Sequence, residues 1–277
     1  MKPVAQIDTL PLFPKIHEEL IALLKSLLPS DWEKPTVCSK WCVKDIAAHL
    51  WDGNLRRVVL HRDGYFSKDV PEIKSSADLL AFLNQLNADW VQACKRLSPE
   101  VLIEQLDQSG KQMIAEFERL DMEAQAAFAV SWAGDTVSPN WFDIAREYTE
   151  KWHHQQQIRL AVGKPGIMSK ALYLPFLDTF MRGLPHTYRN VDASDQTCLQ
   201  VTVPEVEGSW FLQRVEGKWM LLSETDMEPK AKVKVPAEIA WRLFSKGISR
   251  EEALGVSIIS GDEELAMPLF SMVSVMA

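Results

Sequence analysis

Cysteine is scarce. The four residues Cys38, Cys42, Cys94 and Cys198 are too few and too scattered for a disulfide framework. The nearest two, in CSKWC, are separated by three residues where a redox or zinc-knuckle pair has two. Buried reduced thiols are the expectation. Positive charge is also short: 30 Lys and Arg face 38 Asp and Glu, a formal charge of −8 that offers no field to gather nucleic-acid phosphates. No window approaches the roughly 20 apolar residues of a membrane helix, and MKPVAQIDTLPLFPKIHEEL has no apolar run of signal-peptide length. These absences argue against nucleic-acid and membrane partners and predict a soluble, cytoplasmic protein.

What is present is ordinary for a folded chain: 47% hydrophobic and 25% charged residues over 277 positions, enough for one large domain or two smaller ones. The first 165 or so residues read as helices. LFPKIHEELIALLKSLL places apolar residues at helical spacing before PSDW stops it. CVKDIAAHLWDGNLRRVVLHR repeats the pattern through Val43, Ile46, Ala47, Leu50 and Leu55. A third helix is predicted from SSADLLAF, capped by Ser76, and SPEVLIEQLDQSGKQMIAEFERL reads as helical but interrupted near Ser109-Gly110. A last bundle helix follows SPNW, with Ser138 as cap and Pro139 in its first turn, and runs to about Val162 before GKPG. Four amphipathic helices closed by Gly and Pro predict a helix bundle.

Beyond residue 167 the texture changes. TCLQVTVPEV, SWFLQRVEG, KWMLLSE and KAKVKVP read as strands, with turns at Glu207-Gly208 and Glu216-Gly217. PAEIAWRLFSKG and GDEELAMPLFSMVSVM have helical spacing. The prediction is an α+β chain: a bundle over 1–166, then a small α+β domain with an antiparallel sheet over 167–277.

Chemistry concentrates in EYTEKWHHQQQIR, residues 147–159, where Glu147 and Glu150 precede His153 and His154. Residues four apart on a helix lie about 6 Å apart on nearly one face, so Glu150 and His154 can address one point. His49, between Ile46 and Leu50 on the inward stripe of the second helix, can supply a third donor. Imidazole with carboxylate suits zinc or a similar divalent ion. Spacing alone does not choose Glu150 over Glu147 or His154 over His153. His17, His61 and His186 lack partners at ligand spacing and read as structural or surface residues.

The segments DWEKPTVCSKWCVKDIAAHL, LNADWVQACKRLSPEVL and EKWHHQQQIRLAVGKP resemble the mycothiol-dependent maleylpyruvate isomerase family, within the DinB-like superfamily of metal-binding four-helix bundles. IAWRLFSKG through ISGDEELAMPLFSMVSVMA resembles the small sterol-carrier-like domain that follows the bundle in that family. The resemblance implies a metal triad of His49, Glu150 and His154, with zinc the leading choice. It places Gln157 where the family more often has Asp, and His153 where a small residue is usual, a position from which it either lines the cavity, the favoured role, or donates a hydrogen bond behind the ligands. It further implies a low-molecular-weight thiol such as mycothiol, held as thiolate, which adds to a conjugated double bond of a small-molecule substrate or is transferred to an electrophile. No catalytic or cofactor-contacting side chain follows from it. Arg56, Arg57, Arg159, Arg214 and Arg242 are the candidates for a substrate carboxylate. Two other readings compete: a metal-dependent hydrolase using the same triad, and a non-catalytic small-molecule or lipid binder built on the apolar LAMPLFSMVSVMA. Monomer and homodimer both remain open.

Overall fold

The computed structural model describes residues 1–67 and 70–272, which form two compact units. The first comprises Leu10–Asp121 and Glu150–Ile167. Its helices are α1 (Phe13–Lys25), α2 (Val43–Asp63), α3 (Ser76–Cys94), α4 (Pro99–Phe117) and the part of α5 (Asn140–Val162) from Glu150 onward. In α1, Phe13, Ile16, Leu20, Ile21, Leu23 and Leu24 recur every three or four residues and are all buried. α2 packs against α3 and α4, and α1 against α4. α1, α2, α4 and α5 together line the core, where Leu20, Ile46, Leu50, Leu106 and Ile158 meet.

Local chemistry sets the helix ends. Asp45 accepts a hydrogen bond from the Cys42 amide at 3.2 Å to start α2, and Gly64, at φ 59°, ends it by donating to the Leu60 carbonyl. Ser98 accepts from the Val101 amide to start α4.

Three sequence expectations are corrected. The cap of α3 is Ser75, which accepts from the Asp78 amide, one residue ahead of Ser76. Ser138 does not cap α5: its hydroxyl accepts from the Val130 amide and donates to Asp135, while the Pro139 carbonyl accepts from the amides of Phe142 and Asp143. And α4 runs through Ser109-Gly110 without a break. Gly110 is there because a Cβ would stand 2.3 Å from Cε1 of His17 on α1, and Ser109 meets the Asn54 amide of α2 at 3.1 Å. Both residues serve close helix packing, not helix termination.

The second unit comprises Met1–Thr9, Met122–Thr149 and the described residues from Met168. Its six-stranded sheet runs β1-β4-β3-β2-β5-β6, with β1 Lys2–Pro3, β2 Cys198–Val203, β3 Gly208–Val215, β4 Lys218–Glu224, β5 Ala231–Lys234 and β6 Ile258–Gly261. All neighbours are antiparallel except β2 and β5, which pair in parallel with Val201 opposite Val233. Glu216 and Gly217, at φ 48° and 74°, close the β3–β4 hairpin in the backbone form its right-handed twist requires. Helices α6 (Lys170–Met181), α7 (Leu184–Thr187), α8 (Ala237–Phe244), α9 (Arg250–Val256) and α10 (Glu263–Ala266) complete the unit. Phe176, Phe180 and Phe244 are fully buried there. The hydroxyls of Tyr173 and Tyr188 donate to the carbonyls of Ala237 and Leu265. The last predicted helix begins as α10 and a 3-10 turn over Met267–Ser271, and its final residues, 273–277, lie outside the described residues. No helix among the described residues is long and apolar enough to cross a membrane.

Candidate metal centre

Ile46 and Leu50 are at most 2% exposed, so the stripe that buries α2 carries His49 inward with them. Glu150 and His154 stand one turn apart on α5. One donor atom from each of His49, Glu150 and His154 lies within 4.8 Å of the other two. Neither Glu147 nor His153 belongs to this cluster. Nε2 of His154 is 3.5 Å from a Glu150 oxygen. Donors held at about 2.0–2.2 Å by a tetrahedral ion stand roughly 3.4 Å apart, so this pair is already spaced for one.

The second nitrogen of His154 is also accounted for. Nδ1–H donates to Oε1 of Gln157 at 2.9 Å, which fixes the tautomer and leaves the Nε2 lone pair for the cluster. The orienting partner is thus an uncharged amide, as expected of glutamine at this position. Nδ1 of His49 is buried and has no hydrogen-bond partner among the described residues. A buried ring nitrogen without a partner is costly, and a cation is one group that satisfies it.

Aromatic rings close round the imidazoles. The Trp41 indole lies 4.7 Å from the His49 ring and 6.0 Å from that of His154, and the His153 ring lies 4.0 Å from His154. Trp41 is held by its own loop: its carbonyl accepts from the Thr36 hydroxyl at 2.8 Å, and its amide donates to the Cys38 carbonyl. The Glu150 side chain keeps 34% of its surface exposed against 9% for His154, so the cluster opens to solvent on the carboxylate side.

The electrostatics favour ligand-ready protonation states. Burial, reinforced by His154 and only partly opposed by Glu150, holds the His49 pKa well below the ordinary imidazole value and keeps the ring neutral near pH 7. Burial pushes Glu150 upward, but in acid the charged imidazoles of His153, His154 and His49 outweigh it and hold the carboxyl below the usual range. A neutral imidazole and a carboxylate are the forms that bind a divalent cation.

The remaining candidates have other work. Arg56 pairs with Asp52 at 3.1 Å, and its charge reaches His49. Arg57 is buried. Arg159 binds Glu19 and the Pro165 carbonyl. Arg214 lies over Trp219, and Arg242 donates to the Gly247 carbonyl. His17 bonds Asp107 at 3.0 Å, His61 packs on Phe117, and His186 lies against Gly134. All four cysteines are free; burial raises their thiol pKa values, that of Cys198 to about 11. Lys151 is the residue that sequence patterning passed over. It is only 7% exposed and donates to the Leu50 carbonyl of α2 at 3.3 Å. The one available sign was its place inside the same dense run as Glu150 and His154.

The family model of the mycothiol maleylpyruvate isomerase N-terminal domain matches residues 13–159, more than half of the chain. The chain belongs to this family. The match runs from the first residue of α1 into α5 and includes His49, Glu150 and His154. Two solved structures of the mycothiol-dependent maleylpyruvate isomerase, one a histidine-to-alanine mutant, share the fold of this family member. The mutant aligns with a TM-score of 0.55 over 90% of this chain and 93% of its own. The other aligns with a TM-score of 0.54 over 88% and 91%. Both are 11% identical in sequence, so the likeness is one of fold. Among curated proteins none matches the chain.

Proposed function

We propose that this protein is a metal-dependent enzyme that activates a low-molecular-weight thiol for addition to, or transfer onto, an electrophilic small molecule. The ligands are His49, Glu150 and His154. The observation that carries the reading is the convergence of their three donor atoms beside the unpartnered Nδ1 of His49. Two nitrogens and one carboxylate oxygen are a donor set for zinc that leaves a coordination position free. A divalent ion there would hold a thiol as thiolate near neutral pH, the form in which sulfur is a nucleophile.

The chain's own side chains do the rest. Gln157 holds His154 in one tautomer, the apolar neighbours of His49 keep that ring neutral, and Glu150 supplies the negative charge that balances the cation. Trp41 lies against the two imidazoles on one side, while the Glu150 side chain keeps about a third of its surface in contact with solvent. The protein in the two similar structures is mycothiol-dependent, and by family membership a thiol of that kind is the first to try.

Elemental analysis of purified protein should find one divalent ion per chain, and His154→Ala should remove both the ion and any thiol-dependent turnover. Unchanged metal stoichiometry in His154→Ala would overturn the proposal. Turnover of esters or amides with no thiol added would assign the same ligands to hydrolysis instead.

A further inference from the structure

A lysine in a bundle core is unusual, because removing an ammonium from water costs several kcal/mol unless it is compensated. Lys151 is nevertheless 7% exposed, and its Nζ reaches across to the Leu50 carbonyl at 3.3 Å. The two ends of this bond adjoin the candidate ligands: Lys151 follows Glu150 on α5, and Leu50 follows His49 on α2. Consecutive residues on a helix differ by about 100° in direction, so Lys151 leaves α5 beside Glu150 and not along it. A cavity walled by Asn54, Gln155, His17 and Leu106 lies against the lysine. A small gap between the helices thus adjoins the bond to the Leu50 carbonyl.

We infer that Lys151 is a positioning residue: its ammonium ties α5 to the α2 carbonyl next to His49 and so fixes the separation and register at which His49 meets Glu150 and His154. This rests on the metal reading of the cluster. Helices α2 and α5 each bring ligands that the other lacks, and a slip of one against the other by about 1 Å is enough to spoil a site whose donors must sit near 2 Å from an ion. A side chain that bonds the α2 backbone beside a ligand controls that slip directly.

The test uses the full chain with Co²⁺ as the probe, read by its visible absorption bands and by competition with a chelator. Lys151→Met keeps the stem and removes the charge; it should bind Co²⁺ roughly 10- to 100-fold more weakly, with shifted bands. Leu106→Ala, on the wall of the same cavity, should lower thermal stability and leave Co²⁺ affinity and bands unchanged. Lys151→Met with wild-type affinity and bands overturns the inference, as does an equal loss of affinity in Leu106→Ala, which would mark both as general packing effects. His154→Ala that binds Co²⁺ as tightly as wild type overturns the metal reading, and the role of Lys151 with it. A measurement on the unaltered chain covers the case in which Lys151→Met does not fold: the ¹⁵N-labelled Lys151 ammonium signal should move when Zn²⁺ is added while those of exposed lysines stay, and a signal that does not move counts against the inference.

Discussion

Residues 151–159 of α5 and strand β2 are both buried along most of their length, yet they are filled with opposite chemistry. In β2, Cys198, Leu199, Val201 and Val203 are fully buried, and the backbone groups are taken up by β3 on one side and β5 on the other. In α5, Lys151, His153, His154, Gln155, Gln156, Gln157 and Arg159 are all less than 9% exposed, with only Trp152 and Ile158 as hydrocarbon in the same run. Each buried polar group costs about 1–3 kcal/mol if left without a partner. The sheet is therefore a stability element, while this half of α5 is a run of buried polar groups that each need a partner, some in the packing, as Arg159 has in Glu19, and some in the candidate centre.

Substitutions separate the two kinds of burial. Phe180→Ala, in the apolar core of the sheet-bearing unit, should lower unfolding free energy by about 3–5 kcal/mol in a urea titration. His49→Leu should do the reverse of a normal core lesion. With the unpartnered Nδ1 replaced by hydrocarbon of similar size, stability without metal should stay level or rise by about 1–3 kcal/mol, while metal binding is lost. A fall as large as that of Phe180→Ala would show that His49 is structural. Gly110→Ala gains about 1 kcal/mol of helix propensity. It should still destabilise by about 1–2 kcal/mol net, because the His17 ring in its way is tied to Asp107.

The smallest effect is a pH slope. Burial lowers the His17 pKa below its ordinary 6.5 despite the bond to Asp107. The neutral ring is thus the form that folding favours. The stability it contributes is complete above pH 6.5 and is lost as pH falls from there through the lowered folded value. Urea midpoints measured downward from pH 7 should decline more steeply in wild type than in His17→Gln.

How much of this was legible depended on whether the signal was local. Helical periodicity located α1, α2 and α5 to within a few residues, because their buried faces repeat at 3.6. Ser75 and Ser76 are chemically identical, so only hydrogen bonding tells which one caps. Gly110 was misread because a glycine that admits a neighbouring ring looks, in one dimension, like a glycine that ends a helix. The two-residue β1 and the parallel pairing of β2 with β5 have no local signature. In the candidate centre, the spacing of Glu150 and His154 was visible directly, and the resemblance singled them out from Glu147 and His153. Lys151 was not visible, since lysine carries a default expectation of exposure that only the surrounding helices can overturn.

The chain enters the sheet-bearing unit at its start, leaves it after Thr9, returns at Met122, crosses out within α5 after Thr149 and comes back at Met168. No single scissile bond yields either half as an uninterrupted polypeptide. Fragments made for expression at any one position will carry a severed portion of the other unit, and during synthesis the bundle must wait for Glu150 and His154 to emerge at the far end of a helix that begins elsewhere.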